Sequence, residues 1–294
     1  IYFNYILNIM FFRKISIKFY KIISFFYTFI FGRKKMQFFN DILFSLTLDA
    51  KGYKNFGNFK KTGEKKFINR INKDLSFCLD IGANIGEYTN LLLSETKAKI
   101  ISFEPLPRAF EDLKKIEESN PERLKVFNVA LGDNNEFLDL NYSNEKSQTA
   151  SFSKDLNKLS FYNFKDNKKI KTKISMLDDF FLENLDLFQN DIDLIKIDVE
   201  GFEFEILNGA KEIIKKKSPK YIQIEFNWHQ LFKRQTMYNF SELLSGYDLF
   251  KILPHGNDLI KVDPKRPETN IFHLANFVFI RKDISGYLQW KKIW

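Results

Sequence analysis

Three short clusters of acids and glycines have the residue types and spacing for chemistry on a cationic ligand. The first is Phe77-Cys78-Leu79-Asp80-Ile81-Gly82-Ala83-Asn84-Ile85-Gly86, an apolar run that ends in an acid and turns through glycines into Glu87-Tyr88-Thr89. Glycines at such a turn let the backbone approach a ligand closely. If the apolar run is a strand, the turn lies at its carboxyl end, where open α/β sheets bind ligands. A dinucleotide fingerprint, G-x-G-x-x-G, is the alternative, yet Asn84 replaces its second glycine and Asp80 precedes the first. An acid there repels a pyrophosphate and suits a ligand with a cationic amine. S-adenosylmethionine carries an ammonium and a sulfonium and no phosphate.

The second cluster is Ile101-Ser102-Phe103-Glu104-Pro105, in which Glu104 follows Gly86 by 18 positions. An acid at the end of the next strand is positioned to accept hydrogen bonds from the two hydroxyls of a ribose; the alternative is a solvated strand cap. The third is Asp193-Leu194-Ile195-Lys196-Ile197-Asp198-Val199-Glu200-Gly201. Period-2 alternation sets Lys196, Asp198 and Glu200 on one side of a strand, where three charges tolerate a dry core only if paired. One reading is a Lys–Asp ion pair at the sheet edge. The other is a carboxylate acting as general base on an acceptor hydroxyl, with Lys196 tuning its pKa. Tyr221 to His229 ends another strand at the same edge, so Glu225 and His229 could also reach an acceptor, with His229 ranked after Asp198. Ser147 to Ser151 reads either as a mobile lid or as a polar loop. Displacement at an activated methyl carbon calls for no metal, although Asp198, Glu200 and Glu225 could hold a divalent cation against a diol.

The elements that must position these groups follow from alternation. Strands are expected at 76–81, 99–103, 124–128, 192–198, 220–226 and 276–280, and helices at 86–95, 107–119, 203–216 and 234–245. Strand and helix in turn imply parallel βαβ units and a doubly wound α/β sheet. An insert at about 134–175 interrupts the order with a hairpin from Phe137 to Tyr142 and Ile170 to Ile174 and an Asn-rich loop, and Pro254 to Pro267 reads as a turn-rich connection. The expected division is a basic, apolar helical extension at 1–48, a loop and helix lead-in at 49–75, and the main domain at 76–294.

The whole chain of 294 residues has a net charge of +9. Residues 1–75 hold fifteen Lys and Arg against four acids, +11 in all, which leaves the rest at −2. Nucleic acid is therefore a poor candidate partner, because the basic charge does not line the active edge. The first 35 residues contain no acid and have an uncharged run of ten, Ile22 to Phe31, closed by Arg33, Lys34 and Lys35. Ten residues fall short of the roughly 18 to 20 that span a bilayer, so the choice is a helix lying in a membrane interface or one that packs on protein. A signal peptide fits less well for want of a small-residue cleavage site, and Met10 or Met36 is a candidate start. One cysteine, Cys78, allows no internal disulfide and no thiolate zinc site, and three scattered histidines make no metal cluster; the metal expectation is none.

The motifs D-x-G-A-N-x-G-x-Y-T, F-E-P, A-L-G-D (Ala130 to Asp133), S-M-L-D-D (Ser175 to Asp179) and I-K-I-D-V-E-G-x-E followed by L-N-G-A resemble, in order and spacing, the FkbM family of S-adenosylmethionine-dependent methyltransferases. The resemblance covers roughly residues 60–280. It implies a class I methyltransferase fold, a mostly parallel seven-stranded sheet with one antiparallel strand near its edge. It also implies S-adenosylmethionine as cofactor and O-methylation of a sugar, glycan or secondary-metabolite hydroxyl. Carried over by position, Asp80, Gly82, Asn84 and Gly86 match the first cofactor loop, Glu104 the ribose acid, and Ala130, Leu131 and Asp133 the passage near the adenine. The expected location is cytoplasmic, peripheral to the inner face of a membrane where residues 1–35 lie on one. A nicotinamide-dependent oxidoreductase lacks its phosphate-binding turn. A non-catalytic binding protein on the same fold is opposed by the retained cofactor acids.

Overall fold

A computed structural model describes residues 18–143, 150–152, 168–254 and 259–290. The basic and apolar residues of 1–17, Ser147 to Thr149 of the suggested lid, and His255 lie outside the described residues. The chain divides into two compact units, 1–51 and 52–294.

The first unit holds a helix over 18–31 (α1) and a second, α2 (Gln37–Ala50), separated by a short 3-10 turn at Lys34–Met36. Their junction is built by Phe31, whose ring stacks on both Tyr27 and Phe39 with centroids 4.8 and 5.3 Å apart. Tyr27 Oη donates to Asn40 Oδ1 at 2.6 Å, and Asn40 Nδ2 caps the carbonyl of Phe31 at 2.9 Å.

The second unit opens with α3 (Phe59–Thr62) and α4 (Glu64–Ile71) and then alternates strand with helix. Its first strands are β1 (Phe77–Ile81), β2 (Lys99–Phe103) and β3 (Leu124–Phe127), joined by α5 (Glu87–Glu95) and α6 (Pro107–Ser119). After the insert come α7 (Leu177–Glu183), β7 (Leu194–Ile197), α8 (Glu203–Asn208), α9 (Lys211–Lys217) and β8 (Tyr221–Phe226). The chain continues through α10 (His229–Lys233), α11 (Met237–Leu243), β9 (Tyr247–Ile252), β10 (Leu259–Lys261), β11 (Ala275–Arg281) and α12 (Lys282–Trp290). β1 and β7 are buried along their whole length, so each is apolar on both faces apart from one buried charge, Asp80 in β1 and Lys196 in β7.

The main sheet runs β10-β9-β11-β8-β7-β1-β2-β3. β3, β2, β1, β7 and β8 pair in parallel, and β11 lies antiparallel between β8 and β9. This is the expected doubly wound sheet with its antiparallel strand near the edge, but it has eight strands rather than seven. The extra strand is β10, which pairs antiparallel with β9 inside the stretch read as turn-rich; its three residues are too short for a periodic signal. The insert forms a separate three-stranded sheet of β4 (Ala130–Gly132), β6 (Lys168–Met176) and β5 (Glu136–Tyr142), with β6 central. The expected hairpin is thus β5 and β6, extended by a short strand that leaves β3.

The helix expected at 203–216 is broken between α8 and α9 at Gly209. A Cβ there would lie 1.9 Å from the Gly132 carbonyl oxygen, so the break lets the helix pair approach β4.

Candidate active site

The carboxyl ends of β1, β2, β7 and β8 open onto one cavity of about 420 Å³, within the range of small-molecule sites. On one side, the turn after β1 is wound from left-handed residues: Gly82 (φ 81°), Asn84 (φ 49°) and Gly86 (φ 85°). A Cβ on Gly82 would stand 2.0 Å from the Asp198 carbonyl oxygen, so the β1 turn and the β7 turn touch only because this residue is glycine. Both Gly82 N and Ala83 N donate to Phe103 O at 3.0 Å, which fastens the turn to the end of β2.

Glu104, just past β2, borders the cavity. Its two oxygens accept from the backbone amides of Asn84 and Leu106, each at 2.8 Å. Burial nonetheless pushes its pKa up to about 7. Of the other residues expected at the cofactor, Gly82, Asn84, Ala130 and Leu131 also border the cavity, whereas Asp80, Gly86 and Asp133 do not. Asp80 is fully buried beneath the turn. Its Oδ2 accepts from Thr89 Oγ1 at 2.6 Å, and its Oδ1 has no hydrogen-bond partner and stands 3.8 Å from Lys196 Nζ. Burial raises the Asp80 pKa, with the lysine opposing.

On the other side, β7 ends at Ile197, and Asp198 to Gly201 turn away with Glu200 left-handed at φ 52°. Lys196, Asp198 and Glu200 all reach the cavity, as do Glu64 of α4 and Glu225 of β8. Lys196 Nζ is 3.1 Å from Asp198 Oδ2 and 4.9 Å from the Tyr88 ring centroid. Burial acts to lower the lysine pKa, but Asp198, Asp80 and Glu64 outweigh it and hold the ammonium charged. Glu64 accepts from Thr62 Oγ1 at 2.6 Å and from Gln223 Nε2 at 2.7 Å, and Gln223 Oε1 in turn accepts from Tyr88 Oη at 2.7 Å. Burial raises the Glu64 pKa.

Asp198, Glu200 and Glu225 each bring one oxygen within 4.8 Å of the others and could hold a divalent cation. The pKa of Glu225 is pushed well above the usual carboxylate range, first by burial and then by the charges of Asp198 and Glu200. Asn227 bridges the latter acid and Glu225, donating to Glu225 at 2.8 Å and to Glu200 at 3.3 Å.

His229 does not border the cavity. It is buried behind Glu200, with Nε2 3.2 Å from Glu200 Oε2, and its Cβ would lie 2.5 Å from a Cβ added to Gly201. Its place is that of a partner holding Glu200, not of a group facing an acceptor.

Sequence reasoning gave no role to Glu203 or Glu64. Glu203 is fully buried and ties the β7 turn, accepting from Val199 N, Gly201 N and Gln230 Nε2, with a pKa raised to about 8 by burial. The available signal was its position two residues after Gly201 in the third cluster. Glu64 has no such signal, because its partner Gln223 lies 159 residues away.

Six acids and one lysine border the cavity: Glu64, Glu87, Glu104, Asp198, Glu200 and Glu225 against Lys196. A glycine turn after β1, an acid after β2 and a strand order of 3-2-1-7-8-11-9 across seven strands of the main sheet define the class I methyltransferase fold. Residues 80–250 match the Methyltransferase FkbM domain, which is more than half of the chain, and the chain belongs to that family. It is 29% identical over 202 residues to the 2-O-methyltransferase NoeI of Sinorhizobium fredii, across 65% of this chain and 80% of NoeI. Among solved structures it is similar to Pyrococcus horikoshii TYW2 in complex with MeSAdo, at 14% identity and a TM-score of 0.38, over 77% of this chain and 65% of that one. It is also similar to an rRNA methylase from Streptococcus thermophilus, at 11% identity and a TM-score of 0.38, over 74% and 93%.

Proposed function

We propose that the chain is an S-adenosylmethionine-dependent O-methyltransferase acting on a hydroxyl of a sugar or glycan. The observation that carries this reading is the lining of the cavity, six carboxyl groups to one lysine: the single cation is already paired with Asp198, which leaves none to meet the phosphates of a nicotinamide or nucleotide cofactor, and a bound cation would favour the ionised form of the acids around it. The cofactor also fits an unmet acceptor, since Asn84 borders the cavity and its Oδ1 is buried without a hydrogen-bond partner. Glu104 would take the ribose hydroxyls, and Asn84 and the backbone around Gly82 the remainder of the cofactor.

S-adenosylmethionine, when bound, supplies a methyl group activated by a sulfonium. The chain must then orient an acceptor hydroxyl, exclude water and receive a proton. Asp198 is the base. Its Oδ2 is held by the Lys196 ammonium at 3.1 Å, which leaves Oδ1 to accept the proton of the acceptor hydroxyl. Glu200 and Glu225, held by Asn227 and His229, receive neighbouring hydroxyls of the acceptor. Support for a sugar acceptor comes from this group of carboxylates, suited to a polyol, and support for transfer to oxygen from a relative named as a 2-O-methyltransferase. The test is transfer of an isotopically labelled methyl group from S-adenosylmethionine to a panel of free sugars, oligosaccharides and glycolipids. Label in a sugar product is expected. Label appearing only in non-sugar acceptors would overturn the sugar assignment and keep the methyl transfer.

A further inference from the structure

The 1–51 unit is built unlike a soluble helical pair. On α1, Phe19, Ile22, Ile23, Phe26, Phe29 and Ile30 fall on one face by helical spacing, and Lys21, Ser24 and Thr28 form a stripe opposite. All six apolar residues are exposed, Phe19 and Phe29 by about two thirds (64% and 66%). α2 continues the pattern with Phe38 at 77% exposure. An apolar surface of this extent marks a contact site rather than ordinary exposure.

The charge of the unit indicates what makes that contact. Lys18, Lys21, Arg33, Lys34 and Lys35 are all exposed, and no acid occurs before Asp41. Of the three cations in the turn between the helices, Arg33 stands 5.9 Å from the ring centroid of the exposed Phe29. No described helix is long and apolar enough to cross a membrane. An apolar helix face, a separate polar stripe and a basic turn fit the plane of a bilayer interface, where rings enter the acyl boundary and cations meet anionic headgroups. A protein groove would cover the apolar face but would not require five cations against the single acid Asp41 within residues 18–46.

We propose that residues 18–46 form a peripheral docking hairpin for anionic lipid bilayers, with the α1 face buried in the interface and Arg33, Lys34 and Lys35 at the headgroups. This is independent of the chemistry proposed for the second unit. The junction of Phe31 with Tyr27, Phe39 and Asn40 holds the basic turn between the two helices.

The experiment is flotation of the full chain with phosphatidylcholine vesicles, with and without phosphatidylglycerol, at low and high salt. The full chain is expected to float with the anionic vesicles and to be released from them by salt. R33E/K34E/K35E should lower the partition on the order of a hundredfold, and F26S/F29S at least about tenfold. Calorimetric binding of S-adenosylmethionine and thermal melting report whether each variant keeps the second unit folded. Equal flotation of the charge variant, or binding that ignores both phosphatidylglycerol and salt, would overturn the proposal. So would a chain that stays off vesicles and instead self-associates in a way that F26S/F29S abolishes.

Discussion

The two sides of the cavity satisfy their acids in opposite ways. After β1 and β2, the acid Glu104 is met by two backbone amides, and the turn around it is fixed by glycines and by amides donated to Phe103. After β7 and β8, three carboxylates converge on one another, with a lysine, an asparagine and a buried histidine as the neighbours that hold them. The first arrangement is a fixed cradle made by the main chain. The second is a group of side chains whose protonation is mutually dependent, because burial and like charge both oppose full ionisation. In the proposed chemistry, cofactor recognition falls to the first side and proton transfer to the second.

The sharpest way to separate the two sides is D198N. Turnover should fall by about 10²–10⁴-fold, the usual cost of losing a general base, while the dissociation constant for S-adenosylmethionine changes by less than about threefold by calorimetry. The converse variant is E104Q, expected to weaken cofactor binding on the order of tenfold, with kcat at saturating cofactor close to that of the unaltered chain. Steady-state kinetics in both substrates distinguishes the two outcomes. If each variant damaged binding and turnover alike, the division of labour would be wrong.

A pH titration of stability addresses a buried acid on each side. Glu104 and Glu203 have pKa values raised to about 7 and about 8 by burial. The folded chain therefore holds their protons where the unfolded chain has released them, so each contributes stability below the unfolded pKa that is lost as pH rises through the folded one. Ligand-free protein should lose stability between about pH 4.5 and pH 8, on the order of 3 kcal/mol for Glu104. Denaturant melts of E104Q should show a shallower decline over that range. The smallest effect is expected from H229Q. Because His229 stands behind Glu200 and away from the cavity, turnover should drop by less than about tenfold; a loss equal to that of D198N would make the histidine the base.

Most of the site was legible because its parts are local. A glycine turn after an apolar run, an acid before a proline and an acid pair at the end of β7 each need only a few consecutive residues, and parallel strands bring their ends to one edge without further information. Depth was not legible. Asp80 lies near the end of β1 and His229 opens α10 just past β8, but one lies under the β1 turn against Thr89 and Lys196, and the other behind Glu200. Whether a strand-end side chain faces a cavity depends on what packs over it, and that is set by residues far away in sequence. Glu64 shows the same limit, since its pairing with Gln223 joins residues far apart in sequence. In the fold, β10 was hidden by its length, and the break between α8 and α9 by a glycine whose reason is the nearby Gly132 carbonyl.

The carboxyl-rich lining of the cavity, with Lys196 as its one lysine, makes the cofactor assignment directly testable. Calorimetric titration of the full chain with S-adenosylmethionine and, in parallel, with NAD is the measurement. The proposed chemistry predicts saturable, one-site binding of S-adenosylmethionine, competed by S-adenosylhomocysteine, and no heat from NAD. Saturable NAD binding with none of S-adenosylmethionine would contradict it.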